Sequence, residues 1–374
     1  MIVILILLIQ IKLIFTKDPA YIRDYFHLIS TTEKPLPLRK YYGMHHSSID
    51  FYPGTMNVIL SVPHDGDLRS NLPSRPKGAC RKLNSSNRKC YYQNPCLSPQ
   101  FQMDIKHCKI SRGRDVNTRL LALALRYEFK ALFHFTPYVI INRLERIKVD
   151  MNRFIDQGTF YRKDNMHAWM RYHFYLRHAR ELIVKNKNNY GGKGLLLDLH
   201  SHDHHERWVE LGYLLPSRQL SRKGYNLKHS SFASYLTSLF EPIDLVSGNK
   251  SLGYFITKYN YSATPSPIFP SPPEQSYYEW GYIIEEYGRY GNFSAIMIES
   301  PARNMMNLTK LYKYAKSLAF ALHEYLIAIE VFEVLATSEN LEQSQITKQC
   351  NLSRQISAQR NLFLLLFFSV MSFI

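Results

Sequence analysis

The chain has 374 residues, 45% of them hydrophobic and 14% aromatic, which excludes a disordered polymer and leaves room for one large or two small domains. Its formal charge of +17 could draw anionic glycans or lipid head groups. No basic stripe interleaves with the aromatic residues, so nucleic acid is not the expected partner, and the charge is read as a solvated basic surface.

Residues 2–11 form an apolar core shorter than the ~20 residues a bilayer span requires. That is the form of a secretory signal peptide, placed here at residues 1–20. Residues 17–55 contain Pro35 and Pro37 without strong periodicity and are read as an irregular lead-in. Val58-Ile59-Leu60-Ser61-Val62 is the first buried strand, stopped by Pro63 and followed by His64-Asp65-Gly66-Asp67. Residues 70–112 are rich in Ser, Asn, Pro, Lys and Arg and read as an insertion. Its cysteines, Cys80, Cys90, Cys96 and Cys108, suit disulfides in an oxidising compartment, with the pairing open and zinc binding as the alternative. Asp115 is placed to cap a helix in which Val116, Leu120, Leu123, Tyr127 and Ala131 recur at helical spacing.

A second buried strand runs from Pro137 to Ile141 and leads into Asn142, Arg143, Arg146, Asp150, Asn152 and Arg153. A helix over 164–184 precedes the central strand, Gly194 to His200, in which Asp198 and His200 share a face. His202, His204 and His205 are read as solvated turn residues or incidental metal binders rather than catalytic groups. A strand over 208–215 and a helix over 230–240 follow, and then a proline-rich rigid loop spans 263–275. Ser294 to Glu299 is a strand ending in an acid, and Leu308, Leu311, Ala315, Leu318, Leu322, Leu326 and Ile329 line one face of a long helix. Alternating strands and amphipathic helices predict an α/β domain over 21–335, with helices on both faces of one sheet.

Residues 336–374 combine a polar spacer with an apolar tail, the order of a glycosylphosphatidylinositol anchor signal. Asn-x-Ser/Thr sequons at Asn84, Asn249, Asn260, Asn292, Asn307 and Asn351 agree with secretion. The expected location is therefore the cell surface or outside, with a lipid anchor as the membrane partner.

Four strand ends offer His64, the Arg143–Arg153 cluster, His200 and Glu299, and ligands of open α/β sheets bind beyond the carboxyl ends of strands. Two histidines and a carboxylate with one open position describe a catalytic zinc, Zn2+ being the expected cofactor. A free Glu could then take a proton from water, and an Arg could stabilise an oxyanion.

Five segments occur in order: Ser61-Val62-Pro63-His64-Asp65-Gly66, Val149-Asp150-Met151-Asn152-Arg153, Leu197-Asp198-Leu199-His200-Ser201, Thr264-Pro265-Ser266-Pro267 and Ile298-Glu299-Ser300-Pro301-Ala302-Arg303. Together they resemble N-formylglutamate amidohydrolases, whose fold is similar to that of zinc carboxypeptidases. The resemblance implies a three-layer α/β/α sandwich around a mixed central sheet. It implies zinc on His64, Asp67 and His200, with Asp67 one methylene shorter than the glutamate of the carboxypeptidase His-x-x-Glu motif. It further implies Glu299 as general base and Asn152, Arg153 and Arg303 as the grip on a substrate carboxylate. Arg143 and Arg146 are alternatives for the oxyanion, and Asp150 and Asp198 orient the ligands. The expected substrate is a small N-acyl amino acid or a peptide with a free carboxylate. A surface binding protein that keeps the fold without catalysis is the alternative.

Overall fold

The computed structural model describes residues 18–36, 48–75, 82–83, 90–91, 111–160, 162–221, 225–272, 277–288 and 291–331. Residues 1–17 of the signal peptide expected at 1–20, the tail from 336 onward, Cys80, Cys96, Cys108, Asn84 and Asn351 lie outside the described residues. Of the cysteine segment, Lys82–Leu83 (β3) and Cys90–Tyr91 (β4) form a separate antiparallel pair.

Seven further strands build one mixed sheet: Ile49–Tyr52 (β1), Val58–Val62 (β2), Tyr138–Asn142 (β5), Gly194–His202 (β6), Val209–Gly212 (β7), Ala263–Thr264 (β8) and Phe293–Pro301 (β9). Their spatial order is β1-β5-β2-β6-β9-β7-β8. The central four, β5-β2-β6-β9, are parallel, while β1 and β7 run antiparallel to β5 and β9. Burial on both faces explains why β2, β5, β6 and β9 read as continuous apolar runs in the sequence.

Strand alternation divides the core in two. Val58, Leu60, Val62, Leu195, Leu197, Leu199, Ile296 and Ile298 face one cluster, shared with the Thr118–Phe133 and Leu308–Ala328 helices. Ile59, Leu196, Ala295 and Met297 face the other, covered by Lys163–Lys185 and Tyr282–Tyr287. Helices thus cover both faces of the sheet. Asp198 and His200 have the parity of Leu196, and Glu299 that of Met297, so all three project on the Lys163–Lys185 side.

Topology puts the site where it is. From β2 the chain crosses to β5 on one side and returns past β2 to β6 on the other. The β2/β6 boundary is therefore a switch point where connections diverge, the place open parallel sheets leave a crevice.

The lead-in is more regular than expected. Pro19–Thr32 is a helix, started by Pro19 and by Asp18, whose side chain accepts from the Ala20 N–H (3.0 Å). Its buried stripe, Ile22, Tyr25, Phe26 and Ile29, has helical spacing that Pro35 and Pro37 downstream obscured. The expected helix over 230–240 is confined to Ser234–Leu239, and the strand over 208–215 to β7. No helix among the described residues is long and apolar enough to cross a membrane.

One buried histidine gives the fold a pH dependence. His173, inside the Lys163–Lys185 helix, bridges the Met151 carbonyl (3.0 Å) and the Tyr287 hydroxyl (2.9 Å). Burial pushes its pKa down to about 3. The unfolded chain binds that proton below about pH 6.5, so stability falls as pH drops past that value and levels near the folded pKa, at no more than about 1.4 kcal/mol per pH unit. His173→Gln should show a smaller fall in Tm between about pH 7 and about pH 5 than the native chain. Equal falls would contradict the assignment.

Candidate metal centre

Three elements deliver the central groups. His64 follows the Pro63 stop beyond β2, His200 lies near the end of β6, and Asp115 sits just before the Thr118–Phe133 helix. All three are buried. His64 Nδ1 and His200 Nδ1 are 3.1 Å apart, and Asp115 Oδ2 lies 3.3 Å from the first and 2.9 Å from the second.

The outer nitrogens determine what the inner ones can do. His64 Nε2 donates to Asp150 Oδ1 (2.7 Å), and His200 Nε2 donates to Asp198 Oδ2 (2.8 Å). With protons fixed on both Nε2 atoms, the neutral rings present Nδ1 lone pairs to each other and to a carboxylate oxygen. Such an arrangement repels itself unless positive charge stands among the three atoms. In the chain alone a proton plays that part. Burial opposes the charged form of His200, but the Asp198 charge and hydrogen bonds to Asp115 and Asp198 outweigh it and hold its pKa well above the usual imidazole value. For Asp115, burial is likewise outweighed by hydrogen bonds from His200 and His64, which hold its carboxyl below the usual range. Two imidazoles and one carboxylate, each histidine backed by an acid, fit the donor set of a zinc ion with a further position left for water or substrate.

A second tier holds the outer acids. Asp150 takes the Asn152 N–H (3.1 Å) and Arg146 Nε (3.0 Å), with Arg75 Nη2 at 3.5 Å. Burial opposes its charge, but Arg146, His64 and Arg75 keep the carboxyl well below the usual range. Asp198 Oδ1 accepts from Ser61 Oγ (2.7 Å), which in turn contacts the Tyr172 hydroxyl (2.8 Å). Asp198→Asn keeps the volume but weakens this orientation, and affinity for a divalent metal should drop by roughly 10–100-fold. An unchanged affinity in a competition titration would show that Asp198 plays no part in positioning His200.

Glu299 stands beside His200, its register partner across β6 and β9. Its Oε2 is buried without a hydrogen-bond partner among the described residues. Burial, with the charges of Asp115 and Glu210, pushes its pKa up to about 8 against the opposing pull of His200 and Arg146.

The other expected residues divide. Asp67 is not with the histidines: its half-exposed carboxylate pairs with Arg114 (3.4 Å), and Asp115 occupies the third place. The reason is local. Asp65 turns back to cap the following segment, accepting from the Arg119 N–H (2.8 Å) and Arg114 Nε (2.7 Å), and this carries Asp67 toward solvent. Asp115, expected to cap the helix, does not do so with its side chain; Asn117 is the N-cap residue, in the left-handed region at φ 70°. Arg143 pairs with Asp50 on β1 (3.2 Å) at the outer part of the sheet, whereas Arg146 lies against Asp150 and 3.8 Å from Asp115 Oδ1. Asn152 is buried, its oxygen accepting from the Ile283 N–H (2.9 Å) and its amide nitrogen packed 3.1 Å from His200 Nε2, so it lies inside the cluster rather than at an open pocket. Arg153 donates to the Asn152 carbonyl (2.7 Å) and lies over the Trp280 ring (5.6 Å). Arg303 follows β9 in a short 3-10 turn, exposed at a cavity beside His202 and His204. Asn249, Asn260, Asn292 and Asn307 are all exposed.

No family model matches the chain, and no curated protein does. Among solved structures, gene product Atu2144 from Agrobacterium tumefaciens is 11% identical with a TM-score of 0.39, covering 76% of this chain and 96% of its own. A protein described as a candidate metallopeptidase from Shewanella denitrificans OS217 is 10% identical with a TM-score of 0.35, covering 83% and 91%. The CwlD amidase from Clostridioides difficile, solved with the GerS lipoprotein, is 12% identical with a TM-score of 0.27, covering 72% and 98%.

Proposed function

We propose that this chain is a zinc-dependent amidohydrolase, similar to N-formylglutamate amidohydrolases, acting on a small N-acyl amino acid or on the carboxyl end of a peptide. One observation carries the reading. His64 and His200 turn their Nδ1 atoms onto Asp115 while Asp150 and Asp198 hold the opposite nitrogens, and a buried Glu299, its Oε2 without a hydrogen-bond partner among the described residues, stands alongside.

His64, His200 and Asp115 would hold the ion. Zinc supplies Lewis acidity, which brings the pKa of water toward neutrality and polarises a carbonyl. The chain's own groups do the rest. Glu299, buried and with no hydrogen-bond donor on Oε2 among the described residues, takes a proton from the attacking water and returns it to the departing amine. Water adds to the carbonyl carbon, the C–N bond breaks, and a carboxylate and an amine leave. Arg146 adds fixed positive charge beside Asp115 and Glu299, suited to the oxyanion that develops. Arg303, exposed past the end of β9, is the arginine placed to meet a substrate carboxylate.

The apolar ends and exposed sequons support the secretory pathway as the setting, with a lipid anchor at the carboxyl end. Phosphatidylinositol-specific phospholipase C should release the chain from expressing cells; retention would contradict the anchor.

The test of the activity is a panel of N-acyl amino acids and short peptides offered to the zinc-loaded chain. Amine release that stops on chelation and returns with zinc is expected. A loaded chain that turns over no member of the panel would overturn the hydrolase reading.

A further inference from the structure

A second group of metal-ligating side chains lies outside the centre described above. His202, His204 and Glu210 bring one donor atom each within 4.8 Å of the others. We propose that this cluster is a second, weaker divalent-cation site of the zinc class, built on the turn between β6 and β7.

The donors are aimed as a site requires. His202 is buried rather than solvated, and its Nε2 donates to the Trp208 carbonyl (2.8 Å), which leaves the Nδ1 lone pair facing Glu210. Glu210 Oε2 accepts the Tyr278 N–H (3.2 Å), fixing the carboxylate. Its Oε1 lies 3.7 Å from His202 Nδ1 and 2.6 Å from His204 Nδ1. The His204 ring is held by stacking on Tyr278 (4.8 Å between centroids).

Charge points the same way. Glu210 is buried, and among the described residues it pairs with no Lys or Arg, only with these two imidazoles. A buried carboxylate without a cationic partner is costly, and a dication shared with two imidazoles supplies the missing charge. Access is open, because His202 and His204 line a cavity of about 240 Å³. The spacing is local in sequence, His-x-His followed by Glu six residues on, so the end of β6, the turn and the start of β7 carry every ligand.

Two features set the affinity below that of the His64 centre. The His204 N–H also donates to His202 Nδ1 (3.0 Å), so a cation competes for that lone pair. Exposed Arg207, Arg303 and Lys310 share the cavity, offset in part by Asp203, and their solvated charges oppose a cation.

Zinc titration of the full chain, first stripped with a chelator, tests this. The native chain should take up a tight and a weaker equivalent. His204→Ala, at a partly exposed position, and Glu210→Gln, which keeps the volume and the Tyr278 bond, should each weaken the second equivalent at least about 10-fold and leave the tight one in place. His200→Ala should remove the tight equivalent alone. A tight equivalent alone in the native chain, or a weaker equivalent unchanged in both His204→Ala and Glu210→Gln, would overturn the proposal. A weaker equivalent without a tight one would support this site while overturning the hydrolase reading.

Discussion

His200→Ala is expected to abolish tight zinc binding, with a larger loss than the roughly 10–100-fold that removal of a supporting residue costs. His200 contributes more than one donor. Its Nδ1 faces His64 and Asp115, while its Nε2 engages Asp198 at 2.8 Å. Truncation therefore removes a ligand and leaves two buried carboxylates short of a partner. Breaking a buried pair from one side costs about 3–5 kcal/mol, so a fall in Tm should accompany the loss of metal. Metal content and melting must be read together. A His200→Ala chain that melts like the native one and still retains tight zinc would mean that the ion is held elsewhere.

Glu299→Gln separates catalysis from binding. The amide keeps the volume of the side chain but cannot accept a proton from water, so kcat should fall by roughly 10²–10⁴-fold with zinc content unchanged. The pH profile gives a second readout. Burial favours the neutral acid and raises the pKa to about 8, and only the ionised form can act as base. Activity should therefore rise with pH along an acidic limb at or below about 8, moved lower by a bound dication, which favours the carboxylate. That limb should disappear from the residual activity of Glu299→Gln. Full turnover in the variant would remove Glu299 from the reaction, and unchanged ligand binding by a chain without turnover would favour a non-catalytic surface protein.

The central strands were legible because burial on both sheet faces writes them as unbroken apolar runs: Val58–Val62, Tyr138–Asn142 and Gly194–His202 lie close to where the pattern puts them. The strand-end histidines were legible for the same reason, since a run that stops fixes the rim where ligands gather. The third carboxylate was not. Asp67 stands close to His64 in sequence, but three-residue spacing does not bring it round when Asp65 is tied to Arg114 and Arg119. Asp115, separated from His64 by the whole cysteine segment, reaches the ring instead. Nor is Asp115 needed as a cap: the Arg119 N–H in the first turn of the helix is taken by Asp65, a partner far away in the sequence. Asn152 shows the complementary limit. Its place beside Arg153 marks it as functional, yet only the packing of Tyr282–Tyr287 reveals that its oxygen is occupied by the Ile283 N–H. The switch of His202 from turn residue to buried group also depends on a partner of its ring six residues on, the Trp208 carbonyl, which no periodicity announces.

Anomalous diffraction at the zinc edge, on crystals of the zinc-loaded chain, tests the central claim most directly. The expected result is a peak bonded to His64 Nδ1, His200 Nδ1 and Asp115, with Asp67 remote from it. A loaded crystal with no peak between those two imidazoles, or with zinc on Asp67 in place of Asp115, would contradict it.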